Sequence, residues 1–333
     1  MESSRPTLRD IGEALQGAHS IVIASHTRPD GDALGSQIAL ADTLREIGKT
    51  VLAVNEDGVP ARYAFLPCAS SVRLPSSLKE KPGVHLFVAL DTGDPERIGD
   101  QVWKFVAGRQ STLVIDHHAS NHRYGDVNFV DPDSPATGQI IFELIETMGW
   151  PLTPTARDNL WTAIATDTGS FQYPATTART FEIASSLLDA GLNLSWMSAM
   201  LFQNHPFRRL ELLRELLGTV QRSAEGKIAS WRLSQEVIKR FGIQPDDNEG
   251  LIDLIRSISG VVAAVSFEEE QDGTVRISAR SKDASQADVS RICQAFGGGG
   301  HRLAAGARVQ GTLETVSERF LAALSKELDH GTP

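Results

Sequence analysis

The chain has 333 residues, of which 41% are hydrophobic and 22% charged, as in an ordinary globular protein of two domains. Its formal net charge of −10 and its lack of a Lys/Arg cluster exclude a protein that holds long nucleic acid duplexes through their phosphates. No apolar run approaches the roughly 20 residues that cross a bilayer, and residues 1–6 lack the apolar core of a signal peptide, so we expect a cytoplasmic protein with no membrane partner.

The first informative segment is a β-branched run followed at once by polar side chains. Residues 21–24 have the composition of a buried strand, and His26, Asp30 and Asp32 come directly after it. Residues 33–40 continue as a helix that would hold the intervening loop in place. Because open α/β sheets bind their ligands at the carboxyl ends of the strands, we expect these three side chains to belong to a site.

Three further segments repeat this arrangement. The apolar runs 86–90 and 113–115 and the predicted helix 160–165 each lead into polar residues, which are Asp91, Asp116, His117, His118 and Asp167. A single aspartate at such a position usually caps a helix, and we interpret Asp94 in that way. The joint occurrence of so many ligand-type residues at strand and helix ends instead favours a metal site.

The mixture of imidazole and carboxylate groups, with no cysteine nearby, determines which metal we expect. Such ligands favour Mn²⁺, with Mg²⁺ or Co²⁺ as alternatives, over structural zinc. Two such ions roughly 3.5–4 Å apart can share a carboxylate and activate a bridging water for hydrolysis of a phosphate ester. The sequence therefore predicts a site for two divalent ions. Cys68 and Cys293 match no metal or redox spacing and are expected to be reduced thiols.

The distribution of apolar segments predicts an α/β protein with two domains. Strands alternate with amphipathic segments in residues 1–193, which predicts a mostly parallel sheet flanked by helices and carrying the metal site. Residues 194–222 show helical periodicity, interrupted at 204–206, and are interpreted as a connector. Residues 223–330 are predicted to form a smaller α/β domain with a mixed sheet.

The second domain contains a glycine run, Gly297 to Gly300, followed by His301. A helix cap needs only one glycine, so the run indicates close approach of backbone N–H groups to a phosphate or ribose; a flexible linker is the alternative. Arg280 ends the alternating segment 274–279 and could point its guanidinium at a terminal phosphate. Three other arginines are interpreted as surface residues: Arg276, Arg291 and Arg302.

These motifs resemble those of the DHH phosphoesterase superfamily. The pattern His-x-x-x-Asp-x-Asp, a strand-end Asp, Asp-His-His and Thr-Asp-Thr-Gly occur in that family's order, beginning at His26 and ending at Gly169. Arg280-Ser281 and the segment 297–306 are similar to the DHH-associated substrate domain. The resemblance covers the chain apart from its ends and the connector. Within the superfamily, the chain most resembles bacterial proteins that degrade very short RNA and dephosphorylate 3′-phosphoadenosine 5′-phosphate (PAP).

The resemblance implies a role for each candidate residue. One metal would be held by His26, Asp30 and Asp91, and the other by Asp32, Asp91, His117 and Asp167, so that Asp91 bridges the two. His118 would contact the scissile phosphate, and Asp116 would orient an imidazole. The implied substrate-binding residues are Arg280, Ser281, Gly298, Gly299, Gly300 and His301.

The expected function is metal-dependent hydrolysis of short single-stranded oligoribonucleotides and of PAP, in a cleft between the two domains. Hydrolysis of cyclic di-AMP, or of its linear product pApA, is the close alternative, and inorganic pyrophosphate is a weaker one. A nucleotide sensor that binds without turnover is an alternative of another class, which the intact Asp91 and His117 argue against. The sequence leaves the oligomeric state, including a homodimer, open.

Overall fold

The computed structural model describes residues 6–78 and 83–330, and the chain divides into two compact units, Met1–Asn204 and His205–Pro333. Residues 1–5, which carry most of the segment used to predict the absence of a signal peptide, lie outside the described residues. Within the described ranges, no helix combines the length and the hydropathy that a membrane crossing requires.

The first unit contains a six-stranded sheet in which all strands run parallel, in the order β3-β2-β1-β4-β5-β6. The strands are β1 (Ser20–Ala24), β2 (Thr50–Val54), β3 (Val72–Arg73), β4 (Leu86–Leu90), β5 (Ser111–Asp116) and β6 (Val127–Val130). Parallel sheets are covered on both faces and have nearly continuous apolar strands. The five residues of β4 are all buried, in agreement with this rule.

Helices cover both faces of this sheet. They are α1 (Leu8–Gly17), α2 (Gly31–Glu46), α3 (Asp100–Phe105), α4 (Thr137–Met148), α5 (Pro154–Asp167), α6 (Ala178–Asp189) and α7 (Leu194–Phe202). Successive strand residues point to opposite faces, so Ile21 and Ile23 of β1 join the core with α2, α4 and α5, while Val22 joins the core with α3.

The strand order places a crevice beside β1. The chain adds β2 and β3 on one side of β1 and then returns to place β4 on the other side, so the order reverses between β1 and β4. Ligands of open α/β sheets bind at such a switch point, beyond the carboxyl ends of the strands. The residues that follow β1 and β4 include His26 and Asp91.

The second unit contains a mixed six-stranded sheet in the order β11-β12-β10-β9-β8-β7, in which β8 and β9 are parallel and the other pairs antiparallel. Its elements are α8 (Phe207–Gly218), β7 (Gln221–Ser223), β8 (Ile228–Leu233), α9 (Gln235–Phe241), α10 (Ile252–Arg256), β9 (Ala263–Glu269), β10 (Thr274–Ser281), α11 (Val289–Ala295), β11 (Gly299–His301), β12 (Ala304–Gln310) and α12 (Leu313–His330). One face packs on α11 and α12, and the other on α8, α9 and α10.

The predicted fold class is confirmed: a unit with a parallel sheet flanked by helices is followed by a smaller unit with a mixed sheet. The predicted interruption at 204–206 separates α7 from α8, and each of these helices belongs to a different unit. Residues 221 and 222, the last two of the predicted connector, instead form strand β7 with Ser223, because they pair with β8.

Candidate active site

The turn after β1 carries the first candidate ligands, and buried polar groups fix its position. The backbone N–H of Ser25 donates to Oδ1 of Asn55 at 3.0 Å. Gln37 on α2 donates to the carbonyls of residues 23 and 54 at 2.8 and 3.1 Å, which joins β1 to β2 just below the turn. Asp30 caps α2 by accepting from the backbone N–H of Asp32 and Ala33. These bonds hold His26 and the start of α2 in a fixed relation.

Asp91, directly after β4, lies between two histidines. Its Oδ2 is 3.7 Å from Nε2 of His26, and its Oδ1 is 3.5 Å from Nε2 of His117. Oδ1 also accepts from the Thr137 hydroxyl at 3.1 Å. Its φ of 54° lies in the left-handed region, which aspartate tolerates better than most residues. The two oxygens of one buried carboxylate therefore face two separate groups of ligand-type atoms.

Asp32, in the first turn of α2, is oriented by the start of another helix. Its Oδ1 accepts from the backbone N–H of Gly138 at 2.8 Å and its Oδ2 from that of Thr137 at 2.7 Å. These are N–H groups of the first turn of α4, where backbone donors and the helix dipole both favour an anion. This arrangement requires a glycine at position 138, because a Cβ there would lie 2.4 Å from the Ala163 side chain of α5.

The hydrogen bonds of two histidines determine which ring nitrogen faces the carboxylates. Nδ1 of His26 lies 2.8 Å from the carbonyl oxygen of Thr27, and Nδ1 of His117 lies 3.2 Å from that of Ser134. A carbonyl only accepts, so Nδ1 carries the proton in both rings. In the neutral ring, the lone pair of Nε2 then points among the aspartates. This is the tautomer that a metal-ligating histidine needs.

Asp167 completes the cluster from the last turn of α5. Its Oδ2 lies 3.4 Å from Nε2 of His117, and Oδ2 of Asp32 lies 3.9 Å from the same nitrogen. A carboxylate at a helix C-terminus is opposed by the helix dipole. Asp167 therefore destabilises α5, and a cation bound nearby would offset this cost.

The electrostatics of the cluster also favour a bound cation. Burial and the charges of Asp91 and Asp167 raise the pKa of Asp32 well above its usual range. Burial and the charges of Asp30 and Asp91 do the same to the pKa of Asp167. Burial of the His26 ring opposes protonation, but the hydrogen bond and charge of Asp30 raise its pKa overall. So much negative charge in one place attracts either protons or metal ions.

The candidate ligands form three groups, and within each group the ligand atoms lie within 4.8 Å of one another. The groups are His26, Asp30 and Asp91; Asp32, His117 and Asp167; and Asp91, His117 and His118. The nitrogen–oxygen distances of 3.4–3.9 Å around His26 and His117 are longer than ordinary hydrogen bonds and leave room for an ion among the atoms. The nitrogen and oxygen donors suit Mn²⁺ or a similar divalent ion.

His118, a member of the third group, forms a pair with Asp116, which belongs to none of the three. Nδ1 of His118 donates to Oδ1 of Asp116 at 2.7 Å, and Asp116 is completely buried. Burial of the ring opposes protonation, but the bond to Asp116 and the charge of Asp91 outweigh it and raise the pKa of His118 to about 9. These two interactions favour the protonated form of the His118 ring. Asp94 and His122 lie outside the groups: Asp94 caps the 3-10 helix Pro95–Ile98, as predicted, and His122 is exposed.

Sequence reasoning missed the residues that hold the ligands in place. Thr137 and Gly138 bind Asp91 and Asp32, and the amide of Asn121 donates to Oδ2 of Asp116 at 2.5 Å. Thr137 and Gly138 lie 46 and 106 residues from Asp91 and Asp32, whereas Asn121 lies five residues after Asp116. The only local signal was the Thr137-Gly138 pair at the start of an apolar helix, which alone would suggest nothing more than a helix N-terminus.

In the second unit, strand register brings two candidate substrate residues into one row. Arg280 on β10 and His301 on β11 are both paired with Ala304 on β12. Residues directly opposite in a sheet point to the same face, and strands are about 4.8 Å apart. The next row on that face contains Ser278, Gly306 and Gly299. Arg280 and His301 therefore stand on either side of a floor of small residues, and the opposite face carries the buried Ala279 and Ala305.

The glycine run joins the end of α11 to the edge strand β11, which contains Gly299 and Gly300, so the alternative of a flexible linker is wrong. Gly297, with φ of 76°, follows the end of α11, and β11 begins at Gly299. A Cβ at Gly298 would lie 2.0 Å from the carbonyl oxygen of Gly306, and one at Gly300 would lie 2.6 Å from that of Ala304. At Gly299 a Cβ would meet nothing within 4 Å. Close approach to β12 explains two of the glycines, and it does not explain Gly299.

Other predicted residues of this unit have structural partners. Ser281 is buried, and its hydroxyl donates to the carbonyl of Asp283 at 3.0 Å. The arginines interpreted as surface residues form ion pairs: Arg276 with Glu268, Arg291 with Glu327 and Arg302 with Asp288.

Cys68 is exposed, Cys293 is buried, and both are free thiols, as expected.

Comparison with known proteins identifies both units. The profile of the DHH family, N-terminal domain, matches residues 20–166, and that of the DHHA1 domain matches residues 232–329. The bifunctional oligoribonuclease and PAP phosphatase NrnA of Thermus thermophilus is 34% identical over 96% of this chain and 94% of its own. The protein of the same name from Bacillus subtilis is 31% identical over 92% and 93%.

A solved structure has a similar fold over nearly the whole chain. The crystal structure of an exopolyphosphatase-related protein from Bacteroides fragilis covers 97% of both chains, with a TM-score of 0.90 and 26% identity. The chain belongs to the DHH family and is a metal-dependent hydrolase that acts on phosphodiester bonds.

Proposed function

We propose that this chain is a Mn²⁺-dependent phosphohydrolase that degrades short oligoribonucleotides to nucleoside monophosphates and also converts PAP to AMP. The observation that carries the proposal is the position of Asp91, whose two oxygens face His26 and His117 in separate groups of ligand-type atoms. The names of the Thermus and Bacillus relatives support the choice of substrates.

We assign one metal position to His26, Asp30 and Asp91, and the other to Asp32, Asp91, His117 and Asp167. The residues fit such ions, because two histidines present Nε2 and the carboxylates are too crowded to be stable without positive charge. When bound, paired divalent ions supply an activated water and neutralise charge on the phosphate. Thr137 and Gly138 hold Asp91 and Asp32 in place so that neither carboxylate turns away.

His118 is assigned to the substrate. The hydrogen bond from its Nδ1 to Asp116 raises its pKa and favours the imidazolium form, in which Nε2–H can also donate. An imidazolium donates a charge-assisted hydrogen bond, which a phosphate oxygen accepts. Charge develops on the phosphate oxygens during hydrolysis, and a donor that is already oriented stabilises that charge without rearrangement. Asp116 acts through His118 as a positioning residue.

We assign the row between Arg280 and His301 to substrate binding. A guanidinium suits a terminal phosphate, and the floor of Ser278, Ala304, Gly306 and Gly299 leaves space for a nucleoside. Gly298 and Gly300 would contribute by keeping β11 close to β12, and Ser281 by bracing the turn after Arg280. A site with few cationic groups suits a substrate with few phosphates, in agreement with the net charge of −10.

The proposal is tested by Mn²⁺-dependent release of AMP from pApA and of phosphate from PAP, with cyclic di-AMP and pyrophosphate assayed at equal concentration. We expect fast cleavage of the first two. Asp91→Asn should lower turnover by roughly a hundredfold or more, because the shared carboxylate is lost, while asparagine tolerates the left-handed backbone at this position. Asp94→Asn, which changes a helix cap three residues away, is the matched control and should retain activity.

Other outcomes would assign a different role. Preference for cyclic di-AMP would indicate turnover of a signalling nucleotide, and preference for pyrophosphate would contradict both nucleotide assignments. Binding of Mn²⁺ and nucleotide without turnover of any of the four compounds would support the nucleotide sensor. Full activity of Asp91→Asn would refute the metal assignment.

A further inference from the structure

An aromatic pair that the proposed chemistry does not use lies just beyond Asp167. Phe171 and Phe181 stack with their ring centroids 5.3 Å apart and their planes 28° apart. Phe171 packs inward on Trp161 of α5, at 5.4 Å between centroids. Phe181, in the first turns of α6, remains 55% exposed. The exposed part of the Phe181 ring is a flat apolar surface that a flat apolar partner can cover.

The backbone that presents Phe171 is strained. Gly169, Ser170 and Phe171 have φ values of 57°, 60° and 64°, three consecutive residues in the left-handed region. Two of the three carry a Cβ, and such conformations persist only where the surroundings enforce them. Here the hydroxyl of Thr168 accepts from the N–H of Phe171 at 3.0 Å and donates to the carbonyl of Ile164 at 2.6 Å. The strained turn is thus fixed to the helix that ends in Asp167.

The start of α6 is fixed to the same site from another side. The hydroxyl of Thr180, next to Phe181, donates to Oε1 of Gln139 at 2.9 Å. Gln139 follows Gly138, whose N–H binds Asp32. Two independent connections, through α5 and through the first turn of α4, therefore hold the aromatic pair in a constant position relative to the candidate ligands.

We propose that Phe181, supported by Phe171, is a stacking platform for a nucleobase of the substrate. The inference rests on the proposed function, because only a nucleotide substrate supplies a base. Every base has an apolar face, so such a platform binds without selecting a sequence, as an enzyme that degrades RNA fragments of any composition requires. The rigid support means that the ring needs no ordering when the base arrives.

The platform is tested with a non-hydrolysable dinucleotide that carries a 5′-phosphate, a methylene-bridged linkage and 2-aminopurine at either of its two base positions. Stacking on an aromatic ring quenches the fluorescence of 2-aminopurine. With Mn²⁺ present, we expect quenching at one of the two positions in the natural protein. Phe181→Leu should remove that quenching and weaken binding roughly tenfold, whereas Phe181→Trp should keep both. Phe202→Leu, which changes another exposed ring of the same unit, is the matched control and should behave as the natural protein.

Turnover separates a failure of the platform from a failure of the proposed function. With pApA as substrate, Phe181→Leu should raise KM roughly tenfold with little effect on kcat. With an analogue that lacks the base at the stacked position, the natural protein and Phe181→Leu should have the same KM. The platform is refuted if no position is quenched in the natural protein, or if Phe181→Leu impairs the baseless analogue equally. If the natural protein binds and quenches the analogue but cleaves neither pApA nor PAP, the platform stands and the proposed function fails.

Discussion

Nδ1 of His118 donates a 2.7 Å hydrogen bond to Oδ1 of the completely buried Asp116. The same Oδ1 accepts from the backbone N–H of His117 at 2.8 Å, so one carboxylate oxygen sets the position of both neighbouring histidines. Asp116 is held in turn through Oδ2, which accepts from Asn121. The carboxylate that begins the Asp-His-His motif thus supports the two histidines that follow it.

Replacing this carboxylate should impair turnover more than it impairs the fold. Asp116→Asn puts an amide where both histidines need an acceptor, and we expect turnover of pApA to fall about 10–100-fold, as for other groups that orient metal ligands. The pKa of His118 should also fall, because its charged partner is gone. Histidine NMR and steady-state kinetics measure the two effects. Asn121→Ala leaves the hydrogen bond between His118 and Asp116 in place and should lower turnover less than Asp116→Asn does. An equal loss of turnover in the two variants would mean that Asp116 has only a structural role.

The crowded carboxylates should make the site a source of instability when no cation balances them. Asp167→Asn removes a charge at the C-terminus of α5 and should raise the melting temperature in EDTA by about 2–4 °C. The raised folded-state pKa of Asp167 means that the folded protein binds more protons than the unfolded chain, so this penalty grows as the pH rises and disappears in Asp167→Asn. Mn²⁺ should stabilise the natural protein more than the variant. A lower melting temperature of Asp167→Asn in EDTA would contradict the prediction.

The glycine run should tolerate substitution unequally. Gly298→Ala places a Cβ 2.0 Å from the carbonyl oxygen of Gly306 and should destabilise the second unit by about 1–3 kcal/mol. Gly299→Ala meets no protein atom within 4 Å and should leave the melting temperature unchanged. If the run approaches a bound nucleotide, Gly299→Ala should nevertheless weaken its binding, measured by calorimetry. Unchanged affinity of Gly299→Ala would show that β11 serves only the sheet.

The two thiols should differ in reactivity. Burial raises the pKa of Cys293 to about 11, so its thiolate is scarce below that pH and is also shielded, whereas Cys68 is exposed. At pH 8, a colorimetric thiol reagent should therefore modify one residue rapidly and the second only after unfolding. Cys68→Ser should abolish the rapid phase. A rapid phase that survives in Cys68→Ser would mean that Cys293 is accessible.

The sequence alone predicted which side chains would come together at the candidate site. His26, Asp91 and His117 follow apolar runs of strand length, and parallel strands necessarily bring their carboxyl ends to one edge of the sheet. Neighbouring residues are enough to predict these strand ends, because a strand is recognised from the hydrophobicity pattern of consecutive residues.

Tertiary structure alone decided how those ligands are held. The N–H groups of Thr137 and Gly138 bind Asp32 across more than a hundred residues of chain, and no local pattern encodes such a bond. The row of Arg280, Ala304 and His301 depends likewise on the register of three strands, and Phe181 meets Phe171 only because α6 packs against the end of α5. Secondary structure is favoured by short-range periodicity, whereas partners distant in sequence are selected by packing and register, which exist only once the chain has folded.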